Sequence, residues 1–374
     1  IIAGKARELM GDRVARAVAV DFQEPPAGIE DFIKLGPGSG TGGDWRMAQR
    51  MASDPAWRDE ASSKLSSIDE VDIAVLIASL GGGTGGGASP PVARLLKDLL
   101  GRGQSSPSVI AIGILPFSFP LEPLKMSYNA TIAIANLLGA VDSLFLVDND
   151  VVAPGEEEVP SEGALEALNS KICSFLDVLL SPPTDLGGRI GGFSIQSLSS
   201  ILKLREASIC VPCYAGARPE VVGKSLDVLV ELALEQGGLC GFVPGSAFRA
   251  AFMVRCPGEQ LTLKGIWDSR KLILSRIAGI DVLGGASSSE KPSSISETSV
   301  VLVEPEIPKL KKLIELTRAY YELNEESLLA SEETSREELD SMLRRIEEHL
   351  REIEVKRSRA IELRKSLGLE SVGL

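Results

Sequence analysis

The sequence predicts an α/β protein with a doubly wound parallel sheet, a smaller mixed α/β second domain and a helical C-terminal extension. Ile73–Leu80, Ser108–Leu115 and Asp142–Val147 have the continuous hydrophobicity of strands buried on both faces. Each run ends in a turn that is rich in glycine or polar residues, and segments with helical periodicity follow. Strands and helices in this alternation form parallel sheets, whose ligands bind at the carboxyl edge.

Composition narrows the class of protein. A chain of 374 residues, 44% hydrophobic and 24% charged, has the length and apolar content for about two globular domains. The net charge of −13 argues against nucleic-acid partners. No apolar run reaches about 18 residues, so no membrane span is predicted. The five cysteines form no paired framework, which predicts a reducing, cytoplasmic location.

The residues that commonly bind metals are sparse. Cys210 and Cys213 form a lone C-x-x-C motif and are interpreted as buried strand residues. The single histidine, His349, lies in a charged helical segment. Neither catalysis by histidine nor a metal bound by side chains is therefore expected. The chain begins with Ile1 rather than methionine, from which we expect a fragment that lacks the first strand of the fold.

The most informative stretch is Gly81–Gly87, which reads GGGTGGG. It follows the strand Ile73–Leu80 and precedes Ala88–Leu100, a predicted helix with Pro90 and Pro91 in its first turn. This order directs backbone N–H groups and the positive end of a helix dipole at one place, which suits a phosphate. Glycine is expected there for close backbone approach and for turns with positive φ. A flexible linker is the alternative, but linkers lack these flanks.

Other phosphate motifs fit poorly, because no lysine occurs before Lys97 and no acidic residue follows at the Rossmann spacing. The heptapeptide instead resembles the phosphate loop of the tubulin/FtsZ superfamily, G-G-G-T-G-x-G. The resemblance extends in element order over about residues 1–305 and is expected to be nearest a divergent archaeal FtsZ-like or CetZ-type branch. It implies GTP or GDP as ligand, with Mg²⁺ bridging the terminal phosphates.

The resemblance also assigns roles to two other glycine segments. Ile1–Gly4 is expected to be the end of a first glycine turn. Gly36–Gly43, which reads GPGSGTGG, is expected to wrap the terminal phosphate, although a plain surface loop is the alternative.

Further contacts are implied at the strand ends and on the central helix. Pro116 opens a Pro-Phe-x-Phe segment, and Glu122 matches the family's ribose-binding Glu, with Lys125 as a second polar contact. Asn149 and Asn169 match asparagines that contact the nucleotide and the guanine edge, although Asn169 could be a solvated helix residue. The implied nucleotide-binding set is Gly4, Gly38, Gly40, Thr41, Gly82, Gly83, Thr84, Gly85, Gly86, Pro116, Glu122, Lys125, Asn149 and Asn169.

The catalytic loop of the family is missing. Members carry Asn-x-Asp-x-x-Asp after the central helix, and those acids position the attacking water in the next subunit. Residues 182–196 contain one acid, Asp185, which lies too early. Gln196 is the remaining candidate to orient a water. Slow or absent GTP hydrolysis is therefore expected.

The resemblance implies head-to-tail filaments, formed with copies of this chain or with a paralogue that supplies the acids. The alternative is a GTP- or GDP-binding scaffold or regulator that does not polymerise. A dinucleotide-dependent oxidoreductase is a third hypothesis, but it lacks the acid that would bind a ribose.

Four segments are predicted along the chain: a nucleotide-binding GTPase domain at 1–161, a central helix at 162–181, a second domain at 182–306 and a helical extension at 307–374. Two further predictions concern the second domain. Pro219–Gln236 is expected to be one amphipathic helix, and Gly284–Glu297, rich in serine, an exposed and mobile connection.

The helical extension carries a capping box, Ser335 to Glu338, at the start of its second helix. Apolar residues at heptad spacing follow, and Arg357 and Arg364 interrupt them. A helix packed on its own domain and a helix that binds a partner both fit this pattern. The heptad positions are Leu339, Leu343, Ile346, Leu350 and Ile353.

Overall fold

The structure, a computed structural model, describes residues 1–24, 29, 31–65, 71–101, 107–152, 162–184, 193–203, 207–223, 225–289 and 295–369. The predicted α/β class is confirmed. The helices are α1 (Ile2–Met10), α2 (Trp45–Ser53), α3 (Pro55–Leu65), α4 (Gly83–Leu100), α5 (Leu124–Leu137), α6 (Glu162–Leu179), α7 (Ile195–Leu202), α8 (Pro219–Val222), α9 (Leu226–Gln236), α10 (Leu263–Ser275), α11 (Pro308–Ala330) and α12 (Arg336–Ser366). The strands are β1 (Val18–Asp21), β2 (Asp31–Lys34), β3 (Ile73–Ser79), β4 (Ser108–Leu115), β5 (Ser143–Asp148), β6 (Ser208–Ala217), β7 (Arg249–Pro257), β8 (Asp281–Ser289) and β9 (Ser296–Val303).

The chain divides into two compact units. The first contains Ile1–Asn169 and Pro308–Leu350, with a short piece at Ala207, and the second contains Ser170–Leu204, Ser208–Ile307 and Arg351–Leu374. Residues 307–374, set apart as an extension in the predicted domain division, are thus shared between the units.

In the first unit, β3, β4 and β5 are parallel neighbours in that order, with Ile73 opposite Ser108 and Ile110 opposite Ser143. β1 and β2 form a separate parallel pair. Strand side chains such as Ile112 and Phe145 are fully buried, as their apolar runs predict. Because parallel strands end at one edge, the turns after β3, β4 and β5 lie side by side.

The start of α4 corrects the predicted helix. Gly82 is the N-cap, so the helix begins inside the glycine run and not at Ala88. Pro90 and Pro91 consequently lie in the third turn, not the first, and are buried. No described glycine in 81–87 has a positive φ, so close packing rather than turn geometry requires glycine here.

The packing around α4 leaves no room for side chains at several of these glycines. A Cβ at Gly85 would lie 2.1 Å from the Ser79 carbonyl oxygen, and one at Gly87 would lie 1.9 Å from that of Trp45. Real Cβ atoms do not approach oxygen so closely. The first turns of α4 are therefore held against the end of β3 and the start of α2 by direct backbone contact.

The sheet of the second unit has the order β6-β9-β7-β8, antiparallel except for the parallel pair β7 and β8. β8 is the main correction here, since its residues from Gly284 onward were predicted to belong to an exposed, mobile connection. Gly284 pairs with Phe252 of β7. A Cβ at Gly284 would lie 2.5 Å from the Phe252 ring, and a Cβ at Gly285 would lie 2.6 Å from the Phe193 ring. Aromatic rings thus fill the space beside these small residues. Residues 290–294 of the predicted connection lie outside the described part.

Two further sequence predictions for this unit have mixed outcomes. Pro219–Gln236 is not one helix, because Gly223 adopts a φ of +57° and separates α8 from α9. Cys210 and Cys213 are free thiols buried in β6, as predicted, and burial raises the pKa of Cys213 to about 12.

The second helix of the C-terminal extension begins at the predicted capping box. The Glu338 amide donates to Ser335 Oγ at 3.2 Å, and the Ser335 amide donates to Glu338 Oε2 at 3.0 Å. The heptad positions Leu339, Leu343, Ile346 and Ile353 are buried in this chain.

Arg357 and Arg364, which were expected to interrupt the apolar seam of α12, bind backbone within the second unit. Arg357 donates to the Ser246 carbonyl at 2.7 Å, and Arg364 donates to those of Leu274 and Gly279, both at 2.8 Å. Of the two interpretations of α12, packing on its own chain is the one observed. Within the described ranges, no helix has the length and hydropathy that a membrane span requires.

We predict that Gly87→Ala lowers the free energy of unfolding by about 1–3 kcal/mol, because the new Cβ collides with the Trp45 carbonyl. Helix propensity alone predicts the opposite, a gain of about 1 kcal/mol. The matched control is Gly82→Ala, where nothing lies within 4 Å of the Cβ and φ is −80°. Urea denaturation of both variants measures the difference. Stabilisation by Gly87→Ala would contradict the packing account.

Candidate functional site

The site is built at the carboxyl edge of β3, β4 and β5 in the first unit. Its first component is the start of α4, where the initial N–H groups of the helix have no intrahelical acceptor. Gly82, the N-cap, has no side chain that could accept hydrogen bonds from these N–H groups. Gly83, Thr84 and Gly85 form the first turn. Gly86, also in the predicted set, is buried and donates to the Gly82 carbonyl at 2.9 Å. The helix dipole adds positive potential at the same place.

The second component is the loop at Gly36–Gly43. Gly38, Gly40, Gly42 and Gly43 all have positive φ, between 61° and 139°, which only glycine adopts without strain. Asp44 ends the loop and caps α2 by accepting from the Met47 amide at 3.0 Å. Here, unlike at α4, conformational freedom explains the glycines.

The two glycine loops touch. A Cβ at Gly83 would lie 2.2 Å from Thr41 Oγ1 and 2.8 Å from the Gly43 carbonyl carbon. The structure therefore brings together the predicted residues of both loops, including Thr41 and Thr84. A ligand bound at the first turn of α4 would therefore lie close to the Gly36–Gly43 loop.

Asn129, on α5, joins the loops and was missed by the sequence analysis. Its Nδ2 donates to the carbonyls of Gly43 and Gly81, each at 3.0 Å. The side chain is 1% exposed, and its Oδ1 accepts no hydrogen bond from the described residues. The amide orientation follows from chemistry, since two carbonyls require the donor nitrogen. The sequence offered little signal for this role, because α5 contains several other polar residues.

The turn after β4 carries Pro116 and Glu122. Glu122 accepts from the Phe117 amide at 2.7 Å through Oε2, so the carboxylate shapes its own turn. Burial raises the pKa of Glu122, against the opposing effect of this amide bond. Its second oxygen has the acceptor chemistry that a ribose hydroxyl requires.

The turn after β5 contains Asn149, which begins a short 3₁₀ helix, Asn149–Val152. Asp150 accepts from the Ser118 amide at 2.9 Å and from its hydroxyl at 2.6 Å, which joins this turn to the one after β4. Lys309 binds both Asp148 and Asp150.

The two aspartates differ in their titration. Burial raises the pKa of Asp148 despite the neighbouring ammonium. Burial acts in the same direction on Asp150, but hydrogen bonds from Lys309 and Ser118 outweigh it, and the pKa of Asp150 is lowered.

Lys125 forms a different contact from the predicted one. Its ammonium pairs with Glu333, which is 5% exposed and lies in the turn between α11 and α12. Burial raises the pKa of Glu333 against the attraction of Lys125.

Three predicted residues lie on helices and not on the turns described above. Gly4 is in the first turns of α1 and not in a glycine turn, and Asn169 is half-buried on α6. Within the ranges described, no side-chain hydrogen bond joins Asn169 to the glycine loops. Gln196 is exposed on α7 in the second unit, and residues 185–192, including Asp185 of the anomalous loop, lie outside the described part.

The side chains offer no pre-built metal centre in the described part, where no three His, Cys, Asp or Glu residues come together. A divalent ion at the glycine loops would need ligands from a bound phosphate, water or the two threonine hydroxyls. Mg²⁺ commonly binds in that manner.

Part of the chain matches a known protein family. Residues 12–153 match the Tubulin/FtsZ family, GTPase domain. This segment contains both glycine loops, Asn129, Glu122 and Asn149. The predicted relationship to the tubulin/FtsZ superfamily is confirmed.

The individual relatives are CetZ proteins. The chain is 28% identical to the tubulin-like protein CetZ of Pyrococcus abyssi over 253 residues, which is 67% of this chain and 66% of that protein. The alignment thus spans slightly less than two thirds of the relative. Among solved structures, GDP-bound monomeric CetZ1 of Haloferax volcanii has a TM-score of 0.70 at 23% identity, covering 85% of this chain and 95% of CetZ1. A GTPγS-bound CetZ2 protofilament of the same organism also has a TM-score of 0.70, at 22% identity, covering 87% and 96%.

We predict that Asn129→Ala lowers the free energy of unfolding by about 1–3 kcal/mol, because it removes a buried donor from two carbonyls. Amide exchange should rise in both glycine loops. Asn136→Ala, on the same helix, is the control, since its Nδ2 has no hydrogen-bond partner among the described residues. Hydrogen exchange with mass spectrometry reports both effects. Equal exchange in the two variants would remove Asn129 from the site.

Proposed function

We propose that the chain binds GTP or GDP and assembles head to tail into cytoplasmic filaments. The observation that carries this proposal is the direct contact of two glycine loops at the open first turn of α4, held by Asn129. Backbone donors and a helix dipole suit an anion with several oxygens, such as a polyphosphate. The tubulin/FtsZ GTPase domain at residues 12–153 and the nucleotide-bound CetZ structures support guanine as the base.

The nucleotide is placed by extending the contacts outward from α4. The inner phosphates lie on Gly82–Gly86, and the terminal phosphate faces Gly38–Thr41, with Mg²⁺ bridging phosphate oxygens. Glu122 accepts a hydrogen bond from the ribose, beside Pro116. Asn149 and Asn169 bind the sugar and the guanine edge, since an amide donates and accepts together.

Gly4 and Lys125 have less direct roles in this arrangement. Gly4, near the N-terminus of α1, approaches the phosphates through backbone alone. Lys125 contributes its charge while paired with Glu333.

The protofilament formed by CetZ2, which has a similar fold, supports assembly of this chain. A head-to-tail contact is heterologous and does not close, so it continues into a filament. Hydrolysis is weak, because residues 182–196 contain Asp185 as their single acid and Gln196 lacks the charge of a carboxylate. A paralogous subunit with the usual acids would restore it.

The second candidate is a nucleotide-binding scaffold or regulator that does not polymerise. The same acid-poor segment favours it, since a filament without hydrolysis lacks the usual means of disassembly. Binding is common to both candidates, and assembly separates them.

We predict that Thr84→Trp abolishes GDP binding, because Thr84 lies in the first turn of α4 where the phosphates are placed. Fluorescent GDP titration should give at least a tenfold rise in Kd, which corresponds to about 1.4 kcal/mol. Thr84→Ser keeps the hydroxyl and serves as the control. Unchanged affinity in Thr84→Trp would mean that the phosphate site is elsewhere.

Polymerisation is tested by sedimentation with GTP, GDP or neither, with phosphate release measured in the same samples. We expect GTP-dependent pelleting with slow phosphate release, and still slower release in Gln196→Ala. Thr84→Trp should remain in the supernatant. Tight binding without pelleting would favour the scaffold, and no guanine-nucleotide binding would overturn both candidates.

A further inference from the structure

The first turn of α11 reaches the turns that carry the predicted ribose and base contacts. Lys309 donates to the Pro116 carbonyl at 2.7 Å and to Asp150 Oδ2 at 2.8 Å, and it also pairs with Asp148. The Lys309 side chain is 11% exposed. One cation from the C-terminal region thus binds the ends of both β4 and β5.

Hydrogen bonds close to Lys309 involve residues of the candidate site. Asp150 accepts from the amide and hydroxyl of Ser118, and Glu122 accepts from the Phe117 amide. Glu122 and Asn149 therefore sit on two turns that Lys309 crosslinks. These turns are joined both by Lys309 and by the bonds between Ser118 and Asp150.

The other end of α11 is fastened to the same unit. Glu333, just beyond the helix, pairs with Lys125, and its carbonyl accepts from Arg46 at 2.9 Å. Thr334 accepts from the Tyr128 hydroxyl at 2.7 Å and is 2% exposed. The turn after α11 therefore holds α2 and the first turns of α5.

Between these ends, α11 lies along α5 with a buried polar contact. The hydroxyls of Thr131 and Thr317 are 2.7 Å apart, and Thr131 also donates to the Leu313 carbonyl at 3.3 Å. α5 carries Asn129 and Lys125. The helix that joins the two glycine loops is thus supported along its length by α11.

We propose that α11 is a structural strap of the nucleotide site, with Lys309 as a positioning residue for Glu122 and Asn149. Without Lys309, two carboxylates would face each other near the sugar position with no compensating cation, and burial makes that arrangement costly. The turns after β4 and β5 would then separate. The proposal rests on the proposed function, because it assigns α11 a role at the guanine-nucleotide site.

Coupling between the docking of α11 and the binding of nucleotide is reciprocal. If docked α11 raises nucleotide affinity, then bound nucleotide stabilises α11 by the same factor. The bound nucleotide would then affect the stability of the C-terminal helices, although they are far from the phosphate loops in sequence.

The test compares Lys309→Met with Lys312→Met in the full chain. Lys312 is 63% exposed and pairs with Glu315 on its own helix, so its loss leaves the site intact. We expect Lys309→Met to weaken GDP binding about tenfold, within the 5- to 150-fold range usual for such coupling. Exchange of the peptide at residues 116–122 should rise with it, and Lys312→Met should match the unmodified chain.

A rescue variant separates positioning from general damage. Adding Asp150→Asn to Lys309→Met removes one of the facing charges while keeping an acceptor for Ser118. We expect it to recover part of the lost GDP affinity. Recovery of thermal stability without recovery of affinity would overturn the positioning role.

A measurement on the unmodified chain covers the case in which Lys309→Met does not fold. GDP should slow amide exchange in residues 308–323 of α11. Binding of GDP with unchanged exchange in α11, or equal affinity of folded Lys309→Met and the unmodified chain, overturns the strap and leaves the proposed function standing. Failure of the unmodified chain to bind GDP overturns the proposed function itself.

Discussion

Direct contact between the backbone of α4 and three neighbouring main-chain segments is the constraint on which the candidate site depends. Carbonyl oxygens of Ser79 and Trp45 lie about 2 Å from where side chains at Gly85 and Gly87 would begin, and Thr41 approaches Gly83 as closely. Such contact fixes the second loop against the helix start, where the first amide donors lack intrahelical acceptors. The packing of α4 and the geometry proposed to bind phosphates thus have the same cause.

Charged and amide side chains from later in the chain complete this arrangement. Asn129 satisfies carbonyls in both glycine loops, while Lys309 pairs with Asp148 and Asp150 beside the turns after β4 and β5. Unpaired carbonyls and carboxylates at these buried positions would be costly. Residues of the C-terminal helices therefore belong to the architecture of the first unit and not only to its surface.

Sequence reasoning succeeded where the signal was local. Apolar runs indicated β3, β4 and β5, and the capping box of Ser335 located the start of α12. It failed where a neighbour distant in sequence decided the outcome. β8 contains two glycines and several serines, and becomes a strand because rings such as Phe252 occupy the space beside Gly284. The role of Asn129 could not be recognised from the sequence, because its two acceptors lie 48 and 86 positions away.

By itself, the sequence determined the α/β class, the positions of the glycine loops, the resemblance to the tubulin/FtsZ superfamily and the scarcity of acids in residues 182–196. The tertiary structure alone decided why each glycine is needed: close contact in 81–87 and positive φ in 36–43. It also decided the roles of Asn129 and Lys309 and the docking of Arg357 and Arg364. Periodicity and composition depend on neighbours along the chain, whereas hydrogen-bond partners and steric limits depend on atoms that only folding brings together.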